Sequence, residues 1–141
     1  MTVSREAVVA AARGWVGTPF HHQARLKGVG VDCAGVLIGV AHELGLSDYD
    51  IDGYGREPHA GLAEAEAGRE LEPIPLDRLQ PGDVLQFRIE RQTQHFGIVT
   101  TTAPEIYFVH ALIKVGRVVE TRLDRFWRPR VTGAYRFPGA A

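Results

Sequence analysis

The hydrophobic pattern of this chain changes its period once, at the turn-forming segment QPGD of residues 80–83. Before this segment, apolar residues recur at helical spacing, which predicts helices over residues 4–16 and 33–44. After it, apolar and polar residues alternate, which predicts strands over 83–89, 95–100, 105–112, 117–123 and 130–137. The links between these strands are short, so neighbouring strands are expected to pair antiparallel. Helices followed by strands predict an α+β fold with one sheet.

The region between the two parts, residues 46–81, is polar and rich in glycine and proline. We interpret it as a long excursion with a short helix near residues 60–70 rather than as a domain boundary. A chain of 141 residues with 45% hydrophobic content can bury a core without metal or disulfide support. The sequence therefore predicts a single domain over residues 1–141.

Composition excludes several classes of function. A single cysteine rules out an internal disulfide and any zinc site built from several cysteines. A net charge of −1 with mixed signs argues against a nucleic-acid partner. No apolar run approaches the roughly 20 residues that cross a bilayer, and no secretory signal is visible. We therefore expect synthesis in the cytoplasm without a signal peptide, and no membrane insertion.

The one cysteine, Cys33, stands where a glycine-containing loop gives way to the second predicted helix. Asp32 is positioned to cap this helix, and Gly45 suits the left-handed residue after its end. The positive end of a helix lowers the pKa of a thiol, whereas the charge of Asp32 acts in the opposite direction. A thiol nucleophile here would still need an imidazole, which takes its proton and later protonates the leaving amine.

Several histidines are candidates for that imidazole. His42 lies nine residues beyond Cys33 on the same helix, about 13 Å along the axis and on the other side, so it cannot serve. His59 falls in the excursion and has no defined geometry. His21 and His22, in the loop before the cysteine, remain candidates.

The two later histidines have the stronger argument. If residues 101–104 form the turn between the second and third predicted strands, His95 and His110 lie directly opposite each other, with Cβ atoms about 5 Å apart. One imidazole could then hold the tautomer of the other, as in a nucleophile–base–orienter triad. A slip of one residue would place them on opposite faces of the sheet.

Two other interpretations compete with a catalytic one. Cys33, His95 and His110 could each be an ordinary buried residue, but their joint occurrence favours catalysis. They could also form a zinc site with one cysteine and two histidines. The pair His42-Glu43 is not followed by a second histidine at the spacing typical of zinc-binding helices, which disfavours this site.

Three blocks of sequence resemble the NlpC-type peptidases, papain-like cysteine endopeptidases of bacterial cell walls and phage tails. The first block is GTPF at 17–20 with GVDCAG at 30–35, the second is LQPGDV at 79–84, and the third is HFGIV at 95–99 with FVHA at 108–111. The resemblance extends over residues 5–137. It implies a papain-like fold whose nucleophile helix packs on a five- to six-stranded antiparallel sheet, and no cofactor or metal.

By this resemblance, Cys33 is the nucleophile, His95 the general base and His110 the residue that orients it. The implied reaction is hydrolysis of amide bonds in peptidoglycan stem peptides, often between D-glutamate and diaminopimelate or lysine. The residues expected at the substrate are Phe20, His21, His22, Asp32 and Ala34.

The chain departs from the family pattern at two of these positions. Phe20 replaces a tyrosine whose hydroxyl is thought to stabilise the oxyanion, so the backbone N–H of Cys33 and another donor, such as His22, would have to compensate. Ala34 replaces the usual serine, which matters less because the backbone is the expected contributor.

In its small size and its lack of a visible signal peptide, the sequence is most similar to the tail-associated peptidases of phages and gene transfer agents. We therefore expect partners in a phage-like tail and action in the periplasm of the target cell. The alternatives are a non-catalytic structural or adaptor component of such a tail, and a papain-like amidase or acyltransferase.

Overall fold

Two helices precede most of the strands, as the change of period predicts. The computed structural model describes residues 3–21, 24–46, 71–89 and 92–141. The helices are α1 (Arg5–Arg13) and α2 (Cys33–Glu43). The strands are β1 (Arg25–Leu26), β2 (Gly30–Val31), β3 (Glu72–Ile74), β4 (Val84–Ile89), β5 (Gln92–Thr101), β6 (Tyr107–Leu112), β7 (Arg117–Arg122) and β8 (Val131–Arg136). Two 3-10 helices, Leu76–Arg78 and Arg128–Arg130, precede β4 and β8.

A side-chain cap marks the start of each helix. The Ser4 side chain accepts a hydrogen bond from the backbone N–H of Ala7 and caps α1, which ends at Arg13 rather than at the predicted residue 16. Asp32 caps α2 by accepting from the N–H of Gly35 at 2.8 Å. Gly45 has φ +69°, the predicted left-handed conformation after the helix.

One antiparallel sheet of six strands forms the second half of the chain, in the order β3-β8-β4-β5-β6-β7. This confirms the predicted five- to six-stranded sheet. β1 and β2 form a separate hairpin within the predicted loop before Cys33. Such two-residue strands are too short to show an alternating pattern, which is why the sequence did not reveal them.

Strand β3 lies within the stretch 46–81, which the sequence pattern describes only as an excursion with one short helix. That helix, predicted near 60–70, falls outside the described residues. The single domain over 1–141 therefore stays a prediction. No helix in the described ranges is long and apolar enough to cross a membrane.

The helices pack on one face of the sheet, and a second, smaller cluster covers the other face. On the helical face Gly39 allows the buried Trp15 to approach α2, since a Cβ at this position would lie 2.3 Å from Cζ2 of the indole. The buried residues of the second cluster are Leu85, Phe87, Val99, Phe108, Leu123, Trp127 and Ala134.

A buried carboxylate joins α1 to the sheet. Asp83, just before β4, accepts hydrogen bonds from Arg5 of α1 at 2.9 Å and from Arg136 of β8 at 3.0 Å. It also accepts from the backbone N–H of Gln80. The turn that separates the helical and the strand-forming halves of the sequence therefore also fixes them to each other.

Candidate active site

The register between β5 and β6 differs from the predicted one. Ile98 pairs with Val109, so continuation of the ladder puts His110 opposite Gly97 and makes His95 its diagonal neighbour. The prediction that His95 and His110 lie directly opposite each other is therefore wrong. The shift is an even number of residues, which keeps both histidines on the same face. Diagonal neighbours are about 7–8 Å apart at Cα, within reach of two imidazole rings.

A β-bulge in β5 preserves this shared face. Thr101 pairs with Tyr107 and Val99 with Phe108, so β5 has one residue, Thr100, more than β6 between these pairs. The loop thus spans residues 102–106, and the predicted turn at 101–104 is wrong. Without the extra residue, the pairing of Thr101 with Tyr107 would put the two histidines on opposite faces.

The two imidazoles form a buried hydrogen-bonded pair, which we call the histidine dyad. Nε2 of His95 lies 2.7 Å from Nδ1 of His110, and the exposed fractions of the two residues are 1% and 0%. Nε2 of His110 lies 2.9 Å from Oγ1 of Thr121 on β7. Nδ1 of His95 is buried and has no hydrogen-bond partner in the described part of the chain. A chain of polar atoms therefore runs across three strands and leaves one nitrogen unused.

Aromatic rings enclose the histidine dyad. Trp127 stacks on His95 with ring centroids 5.8 Å apart and meets His110 edge-on at 5.0 Å. Phe87 and Phe108 complete the apolar surroundings. Burial lowers the pKa of His95 to about 4. Burial, together with the charge that His95 would carry, lowers the pKa of His110 to about 2. Both imidazoles are therefore neutral at pH 7.

Cys33 begins α2 and is 6% exposed. Burial and the charge of Asp32 raise the pKa of its thiol to about 12, although the backbone N–H groups of Ala34, Phe96 and Cys33 itself hydrogen-bond the sulfur and act to lower it. Burial thus outweighs the predicted effect of the helix start on the thiol. The bond to Phe96 places the sulfur beside the β5 residue that follows His95.

The thiol and the base nitrogen are not joined in this structure. Nδ1 of His95 makes no hydrogen bond to the sulfur of Cys33. The raised pKa of the thiol and the lowered pKa of the imidazole both favour the neutral forms. The thiolate–imidazolium pair expected from the sequence is therefore not present here. Catalytic hydrogen bonds often form only when substrate is bound.

The structure brings Phe20, His21, Asp32 and Ala34 to the same end of α2. Phe20 forms a β-bridge with Val31, and the backbone N–H of His21 donates to the carbonyl of Val31 at 2.9 Å. The side chain of Phe20 is half-buried, and that of His21 is exposed. His22 lies outside the described residues. Asp32 acts as the helix cap, and Ala34 contributes its backbone N–H to the sulfur of Cys33.

The hydrogen bonds of His110 argue against the zinc interpretation. One ring nitrogen contacts His95 and the other contacts Thr121. A zinc ion bound by Cys33, His95 and His110 would have to break one of these two bonds. Within the described ranges, no cluster of three or more metal-ligating side chains is found.

Two residues of the site were not identified from the sequence, namely Thr121 and Trp127. A threonine in a strand and a tryptophan after it are common, so neither carries a local signal. Only the pairing of β6 with β7 places Thr121 diagonally beside His110, because Val119 is directly opposite the histidine. Only the return of the chain between β7 and β8 places Trp127 on the histidine dyad.

Comparisons of sequence identify distant relatives of part of the chain. No protein-family model matches it. Over 94 residues, 67% of this chain, it is 35% identical to probable endopeptidases of Mycobacterium tuberculosis and Mycobacterium bovis. That segment is 20% of each relative, so the chain spans about a fifth of the length of these proteins.

Comparisons of structure identify the fold. The NlpC/p60 domain of the peptidoglycan hydrolase SagA matches with a TM-score of 0.66 and 21% identity, over 96% of this chain and 100% of that one. An NLP/P60 family lipoprotein-like protein from Staphylococcus aureus matches with a TM-score of 0.68 and 19% identity, over 94% of this chain and 41% of that one. NlpC1 of Trichomonas vaginalis matches with a TM-score of 0.72 and 14% identity, over 94% of this chain and 44% of that one. The chain therefore has the NlpC/P60 fold, as the resemblance in sequence implied.

Proposed function

We propose that this protein is a cysteine peptidase that hydrolyses amide bonds in peptidoglycan stem peptides. The proposal rests on Nδ1 of His95, which has no hydrogen-bond partner among the described residues. The ring of His95 is held by His110. The backbone N–H of the next residue on the strand, Phe96, bonds the sulfur of Cys33. The relatives described as probable endopeptidases support the reaction class. The shared fold with a domain of a peptidoglycan hydrolase supports the substrate class.

In the proposed reaction, Nδ1 of His95 takes the thiol proton of Cys33 as the sulfur forms a bond to the carbonyl carbon of the scissile amide. Backbone N–H groups at the start of α2 donate to the resulting oxyanion. The carbon–nitrogen bond then breaks, and the proton on Nδ1 moves to the leaving amine. The sulfur now carries the acyl group as a thioester. Nδ1 of His95 next takes a proton from a water molecule as the water oxygen bonds to the thioester carbon. The carbon–sulfur bond then breaks, and the proton on Nδ1 returns to the sulfur. The products are a carboxylate, an amine and the regenerated thiol.

The neutral, buried resting site implies that substrate completes the catalytic contact. The scissile carbonyl must reach a sulfur that is 6% exposed, and the sulfur must come within hydrogen-bond range of Nδ1 of His95. Proton transfer then occurs as the sulfur attacks, without a stable ion pair in the free protein.

We further propose that the protein acts in a phage-like tail and cuts the wall from the periplasm of the target cell. The support is the resemblance of the three sequence blocks to the NlpC-type peptidases, a family with members in bacterial cell walls and in phage tails. Mass spectrometry of purified particles tests this location. The chain should copurify with tail proteins, and its presence only in the soluble fraction of the producing cell would contradict the proposal.

A non-catalytic tail component is the second candidate. It is favoured by the phenylalanine at position 20 and by the burial that raises the pKa of the Cys33 thiol to about 12. A papain-like amidase or acyltransferase is the third. These candidates differ in the bond that is cut, or in whether any bond is cut.

One experiment distinguishes them. Purified peptidoglycan is incubated with the wild type, Cys33→Ala, His95→Gln and, as a matched control, His42→Gln on the exposed end of α2. Fragments cut within the stem peptide, produced by the wild type and His42→Gln only, are the expected result. A cut between the lactyl group and the first alanine would indicate an amidase. If neither the wild type nor any variant released fragments, the proposed peptidase activity would be contradicted.

A further inference from the structure

We propose that Thr121 is a positioning residue, whose hydroxyl oxygen fixes the tautomer of the histidine dyad so that His95 keeps a lone pair on Nδ1. The catalytic consequence rests on the proposed function, whereas the tautomer itself does not. Thr121 would not touch substrate. It acts through His110, to which it is hydrogen-bonded at 2.9 Å.

Two proton arrangements satisfy the observed distances. In the first, Nε2–H of His95 donates to Nδ1 of His110, and Nε2–H of His110 donates to Oγ1 of Thr121. In the second, the Thr121 hydroxyl donates to Nε2 of His110, and Nδ1–H of His110 donates to Nε2 of His95. Only the first leaves a lone pair on Nδ1 of His95, which a general base requires.

The surroundings of Nδ1 of His95 favour the first arrangement. This atom is buried and has no hydrogen-bond partner among the described residues. In the second arrangement it would carry a proton without an acceptor, and buried donors without partners are rarer than acceptors without partners. The first arrangement leaves only an unused lone pair at this position.

The first arrangement in turn needs an acceptor at the far end of the chain of hydrogen bonds. Oγ1 of Thr121 is that acceptor, and because Thr121 is partly exposed, its own proton can point to solvent. Without the hydroxyl, both arrangements leave one buried N–H without a partner. The preference between them is then lost, and Nδ1 of His95 becomes protonated in part of the molecules.

The test compares Thr121→Val with Thr121→Ser and Thr100→Val. Valine keeps the volume of threonine, so no water can replace the missing oxygen, whereas serine keeps the hydroxyl. Thr100→Val is the matched control, because Thr100 is also buried and donates to Glu120 of β7 at 2.6 Å, without contact to the histidine dyad. Long-range ¹⁵N–¹H spectra of the substrate-free protein at pH 7 report which ring nitrogens are protonated.

The expected spectrum of the wild type has both protons on Nε2. Thr121→Val should show a mixture with protonated Nδ1. Because only molecules with unprotonated Nδ1 are active, kcat on peptidoglycan fragments should fall in proportion to their fraction, about twofold for equal populations. Thr121→Ser and Thr100→Val should retain the wild-type tautomers and kcat. Nδ1 protonated in the wild type, or wild-type tautomers in Thr121→Val, would overturn the inference.

The tautomers are measured without substrate, so they decide this inference even if the wild type does not cleave peptidoglycan. In that case the proposed function fails and the role of Thr121 in fixing the tautomer is still decided. If Thr121→Val does not fold, the spectra of the wild type and of Thr121→Ser test the inference. Both protons on Nε2 in these two proteins would support it, and a protonated Nδ1 in either would contradict it.

Discussion

The reactivity of Cys33 should rise with pH and show no plateau near neutrality. Its thiol has a pKa of about 12, so roughly one molecule in 10⁵ carries a thiolate at pH 7, compared with about 3% for an ordinary cysteine with a pKa near 8.5. The thiolate population is therefore roughly 3,000-fold lower than that of an ordinary thiol. Because the thiolate is the reactive form, the alkylation rate should increase about tenfold per pH unit between pH 6 and 10.

The assay follows iodoacetamide labelling of the intact protein by mass spectrometry, with glutathione as the reference thiol and Cys33→Ala as the blank. Limited access to the buried sulfur lowers the rate equally at every pH, whereas the slope reports the pKa. His95→Gln should leave the slope unchanged, because no hydrogen bond joins Nδ1 of His95 to the thiol.

A rate that is flat from pH 5 to 8 in the wild type, and becomes pH-dependent in His95→Gln, would refute this reasoning. It would show that a thiolate–imidazolium pair exists in the free protein.

Three further predictions concern the histidine dyad, the helix packing and the oxyanion. The pKa values of the dyad, about 4 and about 2 in the folded protein, lie below the unfolded value of about 6.5, so the unfolded chain binds protons first as the pH falls. The free energy of unfolding in urea should therefore decrease below pH 6.5, by up to about 1.4 kcal/mol per pH unit for each imidazole, and pH-independent stability from pH 7 to 5 would contradict this. Gly39→Ala should lower the free energy of unfolding by about 1–3 kcal/mol, because its Cβ overlaps Trp15, whereas Gly14→Ala meets mainly the flexible end of a lysine side chain and should change it by less than about 0.5 kcal/mol. Phe20→Tyr should raise kcat on soluble stem-peptide fragments about tenfold or more by supplying an oxyanion donor, and an unchanged kcat would rule out that role.

Short-range signals predicted α1 and α2, the start of each and the end of α2, but not the end of α1. Asp32 caps α2 and Gly45 adopts the left-handed conformation as expected, because each depends on a few neighbouring residues. Strand β3 and the hairpin of β1 with β2 were missed, since strands of two or three residues carry no measurable alternation.

The contact between His95 and His110 was predicted from the sequence, but its geometry was not. The histidine dyad shares one face as expected, but through a register two residues from the predicted one. A loop of unforeseen length and a bulge at Thr100 together produce that register, and neither has a distinct sequence signature. The reversal of the expected effect on the Cys33 pKa has a similar origin, because desolvation depends on every element packed around the sulfur.

The sequence by itself determined the order of the two helices and the main strands, the position of Cys33 at a helix start and the alternation that marks the longer strands. These properties arise from contacts between residues near one another in the chain. The tertiary structure alone decided the diagonal contact of His95 with His110, the addition of Thr121 and Trp127, and the neutral state of the thiol. These depend on strand register and on burial, which are set by residues distant in sequence that meet only in the folded protein.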